Sequence, residues 1–308
     1  MKNVITNQNG ERGSMKSTVK AALVQHSPFS MWDKEKNASF ISEKISELAR
    51  RGNELIVFPE MSLTNFYEHI PNGKKTYWDN GAITFDDPYL QRIIETVKEH
   101  QVHIIIGIAE RSDIIGNIYN SALLIGPEGI VGIARKVHFP GLEKLYFTPG
   151  SDIPVFDTPL GRIGICICYD CMFPEHVRML ASKGAEIIAF PSSIWKGGNK
   201  GGIGALGSKE QFWRELPAVR AVENQCFIIA CNGGGTHDLG PELGTWERMG
   251  LSKIVSPSGK ILAQAEGNQE EVLEALLERE VLEDSRSVYA FLSDRRPNMY
   301  KEIADPLS

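Results

Sequence analysis

Residues 161–175, GRIGICICYDCMFPE, constrain the fold more than any other stretch of the chain. From Gly161 to Cys168 the apolar residues Ile163, Ile165, Cys166 and Ile167 are spaced by glycine and other small residues, which predicts a short strand buried on both faces. Tyr169-Asp170 breaks the run. Pro174-Glu175 then opens a segment with Val177, Leu180 and Ala181 at helical spacing, so a helix with proline in its first turn follows. Cys168 is therefore expected at the carboxyl end of a strand, just before a helix. In open α/β architectures ligands bind at such ends, because irregular backbone there leaves N–H groups pointing into a crevice. A thiol at this turn becomes a nucleophile when a neighbour takes its proton or favours its thiolate.

The rest of the chain repeats the pattern. Val19–Gln25, Leu55–Phe58, Val102–Ala109, Glu186–Phe190 and Phe227–Cys231 read as buried strands. Asp33–Arg51 is an amphipathic helix with Phe40, Ile41, Ile45 and Leu48 on one side, and Pro88–His100, about Ser208–Glu223 and Glu280–Tyr289 are further helices. Tyr119–Ile125 and Ile130–Lys136 flank the turn Gly126-Pro127-Glu128-Gly129 as a hairpin, and Lys253–Val255 with Lys260–Ala263 make a second around Ser256-Pro257-Ser258-Gly259. Strands and helices alternate without a Pro- or Ser-rich linker. This predicts one α/β domain, with either one mixed sheet or two sheets packed between helices. Met1–Lys16, rich in Asn, Gly and Ser, is expected to be a disordered extension or an expression remnant, with the domain running from residue 17 to 308.

Several function classes are disfavoured. The 308 residues carry a net charge of −6 and no basic stripe, which works against nucleic acid. The longest apolar runs, such as Val102–Ala109, are far too short to cross a bilayer. A polar amino terminus without the apolar core of a signal peptide predicts a cytoplasmic protein. The five cysteines fall in or beside strand-like runs and are expected to be reduced thiols.

Cys168 needs a base, an oxyanion donor or both. Glu60 follows Ile56-Val57-Phe58-Pro59, and Lys136 follows Ile133-Ala134-Arg135, each a polar residue where a buried strand gives out. Glu143 lies in the loop Phe139–Gly150 between two Pro-Gly turns. If these strands are neighbours, carboxylate, ammonium and thiol converge. Read without their partners, Glu60 is an ordinary helix-capping acid, Lys136 half of a solvated basic pair, and Cys168 a small buried hydrophobe.

Together these blocks carry a resemblance. Phe58-Pro59-Glu60, Arg135-Lys136-Val137-His138, the run Leu142–Gly150 and Cys168-Tyr169-Asp170 with Phe173-Pro174-Glu175 resemble the signature blocks of the nitrilase, or carbon–nitrogen hydrolase, superfamily, in that family's order of Glu, Lys and Cys. Arg220–Asn224 is similar to its late helix and Gly250–Gly259 to its late hairpin, so the similarity spans Val19 to Tyr300. The resemblance implies an αββα sandwich, doubled into a homodimer or a higher oligomer. It implies Cys168 as nucleophile, Glu60 as general base, Lys136 as the cation that stabilises the tetrahedral intermediate, and Glu143 as the carboxylate that holds Lys136. The backbone N–H of Tyr169 is expected to share the oxyanion. Phe66, Tyr67, Met172, Phe173 and Trp195 are expected to wall the pocket for a small amide. No metal or organic cofactor is required.

Three rival constellations compete. Cys166, Cys168 and Cys171 form a C-x-C-x-x-C cluster of the kind that binds zinc or iron–sulfur, but no second Cys or His pair has ligand spacing. His138 or His176 offers a Cys/His dyad. Gly202–Gly207 matches G-x-G-x-x-G, yet a long insert separates it from the preceding strand, and it is expected instead to belong to a mobile flap, Gly197–Gly207, with Trp195 at its base. For the substrate, the Phe58–Phe66 and Leu142–Asp152 segments are similar to N-carbamoyl amino acid amidohydrolases. Those that act on D-amino acids carry an arginine pair where Cys171 and Met172 stand here, and loss of that bidentate donor favours a less charged amide. The expected activity is a cysteine-dependent amidase, ahead of N-carbamoyl hydrolysis and of nitrile hydrolysis. A non-catalytic binding role is the alternative of a different class.

Overall fold

The computed structural model describes residues 14–67, 72–200 and 206–305. The first sheet has the order β15-β1-β2-β3-β4-β5. In it β1 (Thr18–Gln25), β2 (Leu55–Val57) and β3 (His103–Arg111) are parallel. β4 (Ile118–Gly126) and β5 (Gly129–Arg135) continue it as the expected hairpin, and β15 (Glu271–Glu278) closes the other edge antiparallel to β1. The second sheet has the order β14-β13-β10-β8-β7-β6. Its parallel centre is β7 (Gly161–Ile165), β8 (Ile187–Ser192) and β10 (Phe227–Asn232), flanked by β6 (Val155–Thr158) and by the hairpin of β13 (Lys253–Val255) and β14 (Ile261–Gln264). A small third sheet joins β9 (Trp195–Gly198), β11 (Thr236–Asp238) and β12 (Thr245–Arg248).

Alternation along each strand explains why the two large sheets stack. Ala21, Leu23, Val57 and Ile105 of the first sheet meet Ile163, Ile165, Ile187 and Ile229 of the second in one core. The intervening residues Ala22, Val24, Ile56 and Ile104 point outward, onto Ile41, Ile45 and Leu48 of α1 (Lys34–Arg50) and Leu90, Ile93 and Val97 of α3 (Pro88–His100). On the far side Ile188, Phe190 and Ile228 pack beneath α5 (Pro174–Ser182) and α6 (Leu206–Asn224) through Val177, Leu180, Trp213 and Ala221. Strands with both faces buried must be apolar throughout, and this is what produces the continuous runs in the sequence. The architecture is the αββα sandwich, two mixed sheets between helices.

Three expectations need correction. The strand expected to reach Cys168 stops at Ile165, where its pairing with β8 ends at Ala189, and Cys168 instead opens a 3-10 turn over Cys168–Met172. Met15, set outside the domain by composition, is 1% exposed, and its N–H donates to Glu186 Oε1 at 3.0 Å. Apolar packing and one buried hydrogen bond hold it against the second sheet. The start of the expected flap, up to Gly198, is strand β9 paired with β12, while residues 201–205 of the glycine-rich run lie outside the described residues. Among the described residues no helix is long and apolar enough to cross a membrane.

Candidate active site

β2 delivers Glu60, β5 delivers Lys136, and the turn after β7 delivers Cys168. Glu60 is 1% exposed. Its Oε1 accepts from Lys136 Nζ at 2.7 Å and from Asn120 Nδ2 at 2.7 Å, while Oε2 is buried without a partner among the described residues. Lys136 is fully buried, and its Nζ also donates to Glu143 Oε2 at 2.7 Å. Glu143 is the first residue of the short helix α4 (Glu143–Tyr146), not part of an open loop, and it reaches the cavity wall. Burial alone would push the Lys136 ammonium down, but the Glu143 and Glu60 carboxylates outweigh it and hold it well above its ordinary value. Burial pushes Glu143 up to about 7, against the pull of Lys136.

Cys168 has φ +48, a left-handed conformation uncommon for a residue other than glycine. It lines a cavity of about 570 Å³. Burial, then Glu60, hold its thiol well above the usual range, so the resting group is the neutral thiol; Lys136 and the Ser193 backbone act in the opposite sense. The Tyr169 N–H precedes the first bond of the 3-10 turn, which runs from Asp170 N–H to Ile167 O at 3.0 Å. It has no partner within the turn.

The structure brings most of the expected pocket residues together. Phe66, Tyr67, Met172 and Trp195 line the cavity with Glu143, Cys168 and Tyr169. Tyr67 stacks on Tyr146 with centroids 3.5 Å apart, which fixes that wall. Phe173 is the exception: its ring stacks on His138 at 3.7 Å and is not among the lining residues. The physical reason is that the 3-10 turn carries Met172 inward and Phe173 back over the His138 loop. The remaining wall was missed: Ser193, Ile194, Phe212, Leu239, Leu243 and Trp246, with Lys209 as its cation. Leu239 and Leu243 lie in the connection between β11 and β12, and Trp246 in β12, short irregular elements that give no periodic signal. Asn120 was missed too, although a lone Asn inside the apolar run of β4 is a signal for a buried partner.

Two of the rival constellations, the cysteine cluster and the Cys/His dyad, do not assemble among the described residues. Cys166 packs among the helix-side residues of the second sheet, whereas Cys168 belongs to the core between the sheets. His138 gives its Nδ1 to Asp170 Oδ1 at 2.8 Å. Asp170 also accepts the His138 N–H at 2.8 Å, which ties the chain after Lys136 to the chain after Cys168. His138, Asp170 and His176 are the one group among the described residues close enough to share a metal ion, and none of the three cysteines is in it.

Comparison with known proteins gives the family and the fold. The family model described as carbon–nitrogen hydrolase matches residues 20–287. The chain is 31% identical to a citrullinase of Francisella tularensis, over 93% of this chain and 98% of the relative. It is 30% identical to a nitrilase of Pyrococcus abyssi, over 92% and 99%. A crystal structure of a carbon–nitrogen hydrolase from Helicobacter pylori superposes with a TM-score of 0.84 at 25% identity, covering 94% of this chain and all (100%) of that one.

Proposed function

The chain belongs to the carbon–nitrogen hydrolase family and is a hydrolase acting on amides; from that premise we propose that it is a cysteine-dependent amidase that converts a small linear amide to a carboxylate and ammonia through a thioester. The observation that carries this reading is one buried ammonium, Lys136, bonded at 2.7 Å to each of two carboxylates beside a cavity that Cys168 lines. In this reading the open Oε2 of Glu60 takes the thiol proton as the sulfur attacks the amide carbon. The negative oxygen of the tetrahedral intermediate is met by Lys136 Nζ and the Tyr169 N–H, donors worth about 3 kcal/mol each in such sites. Collapse breaks the C–N bond, and Glu60 returns the proton to the leaving nitrogen, which departs as ammonia. Glu60 then deprotonates a water that attacks the thioester, releasing the carboxylate and regenerating the thiol.

The cavity's chemistry supports a neutral or acidic substrate over a basic one. Its wall is mostly aromatic and aliphatic; Glu143 is engaged by Lys136, and Lys209 is the one cation among the described lining residues. Hydrolysis of an N-carbamoyl group is the second reading, favoured by the relative named citrullinase, since citrulline ends in such a group.

The test is ammonia release from a panel of aliphatic, aromatic, ω-carboxy, ω-amino and N-carbamoyl amides, with wild type and Cys168→Ala. Neutral and ω-carboxy amides should turn over faster than their ω-amino counterparts, and the alanine variant should release none. Wild-type rates from Cys168→Ala would remove the sulfur from the mechanism.

A further inference from the structure

Arg248, the last residue of β12, is a fully buried cation with no carboxylate within ion-pair distance among the described residues. Its Nε donates to Ser193 Oγ at 3.0 Å, one terminal nitrogen to Ser27 Oγ at 2.6 Å and the other to Asn65 Oδ1 at 3.1 Å. The guanidinium lies 4.3 Å from the centroid of the Trp195 ring. Its stem passes so close to Gly233 that a Cβ there would come within 2.5 Å of Arg248 Cδ.

These partners have one thing in common. Ser27 follows β1, Asn65 follows β2, Ser193 follows β8 and Gly233 follows β10, so one side chain gathers the carboxyl-end loops of parallel strands from both large sheets. Neutral donors would satisfy three neutral oxygens without the desolvation penalty of a charge, which runs to several kcal/mol for a buried ion. A cation kept there at that penalty needs a use, and two of its contacts lead to the site. Ser193 and Trp195 both line the cavity with Cys168. The acid whose charge acts on Arg248 is Glu60, and the histidines that feel its charge, His26 and His237, are kept neutral by burial.

We propose that Arg248 is a positioning residue for the Cys168 nucleophile: it holds Ser193 and Trp195 in the cavity wall beside the sulfur, and keeps a buried positive charge that acts on the Glu60 carboxylate. Its role in turnover rests on the amidase reading. Burial pushes its own guanidinium down only to about 9, so the charge is present at neutral pH.

The test compares Arg248→Gln and Arg248→Lys with wild type by kcat and KM on an accepted amide, and by the pH dependence of iodoacetamide alkylation read at Cys168 by mass spectrometry. Arg248→Gln should lose about 100-fold in kcat with little change in KM, and its alkylation profile should move up by about one pH unit. Arg248→Lys, which restores the charge, should recover about tenfold of the lost kcat and return the alkylation profile toward wild type. Ser193→Ala, which keeps the charge and removes one acceptor, should lower kcat by about tenfold and covers the case in which Arg248→Gln does not fold. Wild-type kcat and alkylation in Arg248→Gln, equal defects in Gln and Lys variants, or wild-type kcat in Ser193→Ala would each overturn the proposal. If no amide is hydrolysed even by wild type while the alkylation profile still moves in Arg248→Gln, the amidase reading fails and the positioning role stands.

Discussion

Lys136 holds two acids at once, and the pair it forms with Glu143 sets a pH dependence. Glu143, raised to about 7 by burial, is protonated below that value and ionised above it. Only the ionised form pairs with Lys136 as an anion, so kcat/KM should rise with pH through about 7. Glu143→Gln should abolish that acidic limb and lower kcat/KM by about tenfold or more, measured as a pH–rate profile from about pH 5 to about pH 9. An unchanged limb in the variant would assign it to another group. At this scale the sequence was informative where a polar residue terminates an apolar run, as Glu60, Lys136 and Cys168 do. It did not name the partners of Asn120, Ser193 and Arg248, because a single polar residue inside or just after a strand does not say which distant group it faces.

Elements position these groups through close backbone approach. Gly107 of β3 lies against the turn that carries Glu60: a Cβ there would sit 2.2 Å from Met61 N and 2.8 Å from Glu60 Cα. The Gly107 O also accepts the Leu63 N–H at 3.1 Å, so the strand and the turn are stitched together. Gly107→Ala should therefore push Glu60 from its seat beside Lys136, with a stability loss of about 1–3 kcal/mol by thermal or denaturant unfolding and a fall in kcat larger than the change in KM. Wild-type kcat in a folded Gly107→Ala protein would mean that the turn has room to move. β15 shows the opposite relation between sequence and element. Its residues, EVLEALLE, are good helix formers, and the sequence reading assigns no strand to them. Eight residues paired in register with β1 override that preference, since the otherwise open edge of the first sheet gains a full ladder of hydrogen bonds.

The whole molecule decides which thiols are reachable. All five cysteines are free and buried, but Cys168 keeps 7% of its surface at the cavity whereas the other four keep 1% or less. Burial pushes the thiols of Cys168, Cys171 and Cys226 all upward, so what singles out Cys168 is its larger exposure at the cavity. Iodoacetamide should therefore label Cys168 first in the folded protein, with substrate slowing the reaction and unfolding exposing all five, as followed by peptide mass spectrometry. First labelling at Cys226 or Cys231 would contradict the arrangement of the two sheets around the cavity.

The sequence by itself determined the alternating strands and helices, the burial of each strand on both faces and the three polar residues at strand ends. These are written in local periodicity and in the residues that interrupt it, and the ordered signature blocks added the family. Only the tertiary structure decided that Lys136 bonds both carboxylates, that Phe173 turns away from the cavity, that β12 and the connection before it supply part of its wall, and that Arg248 gathers loops from both sheets. Those facts depend on the register and stacking of two sheets whose strands come from distant parts of the chain, and a contact between residues 60 and 136, or 193 and 248, leaves no periodic trace in either segment.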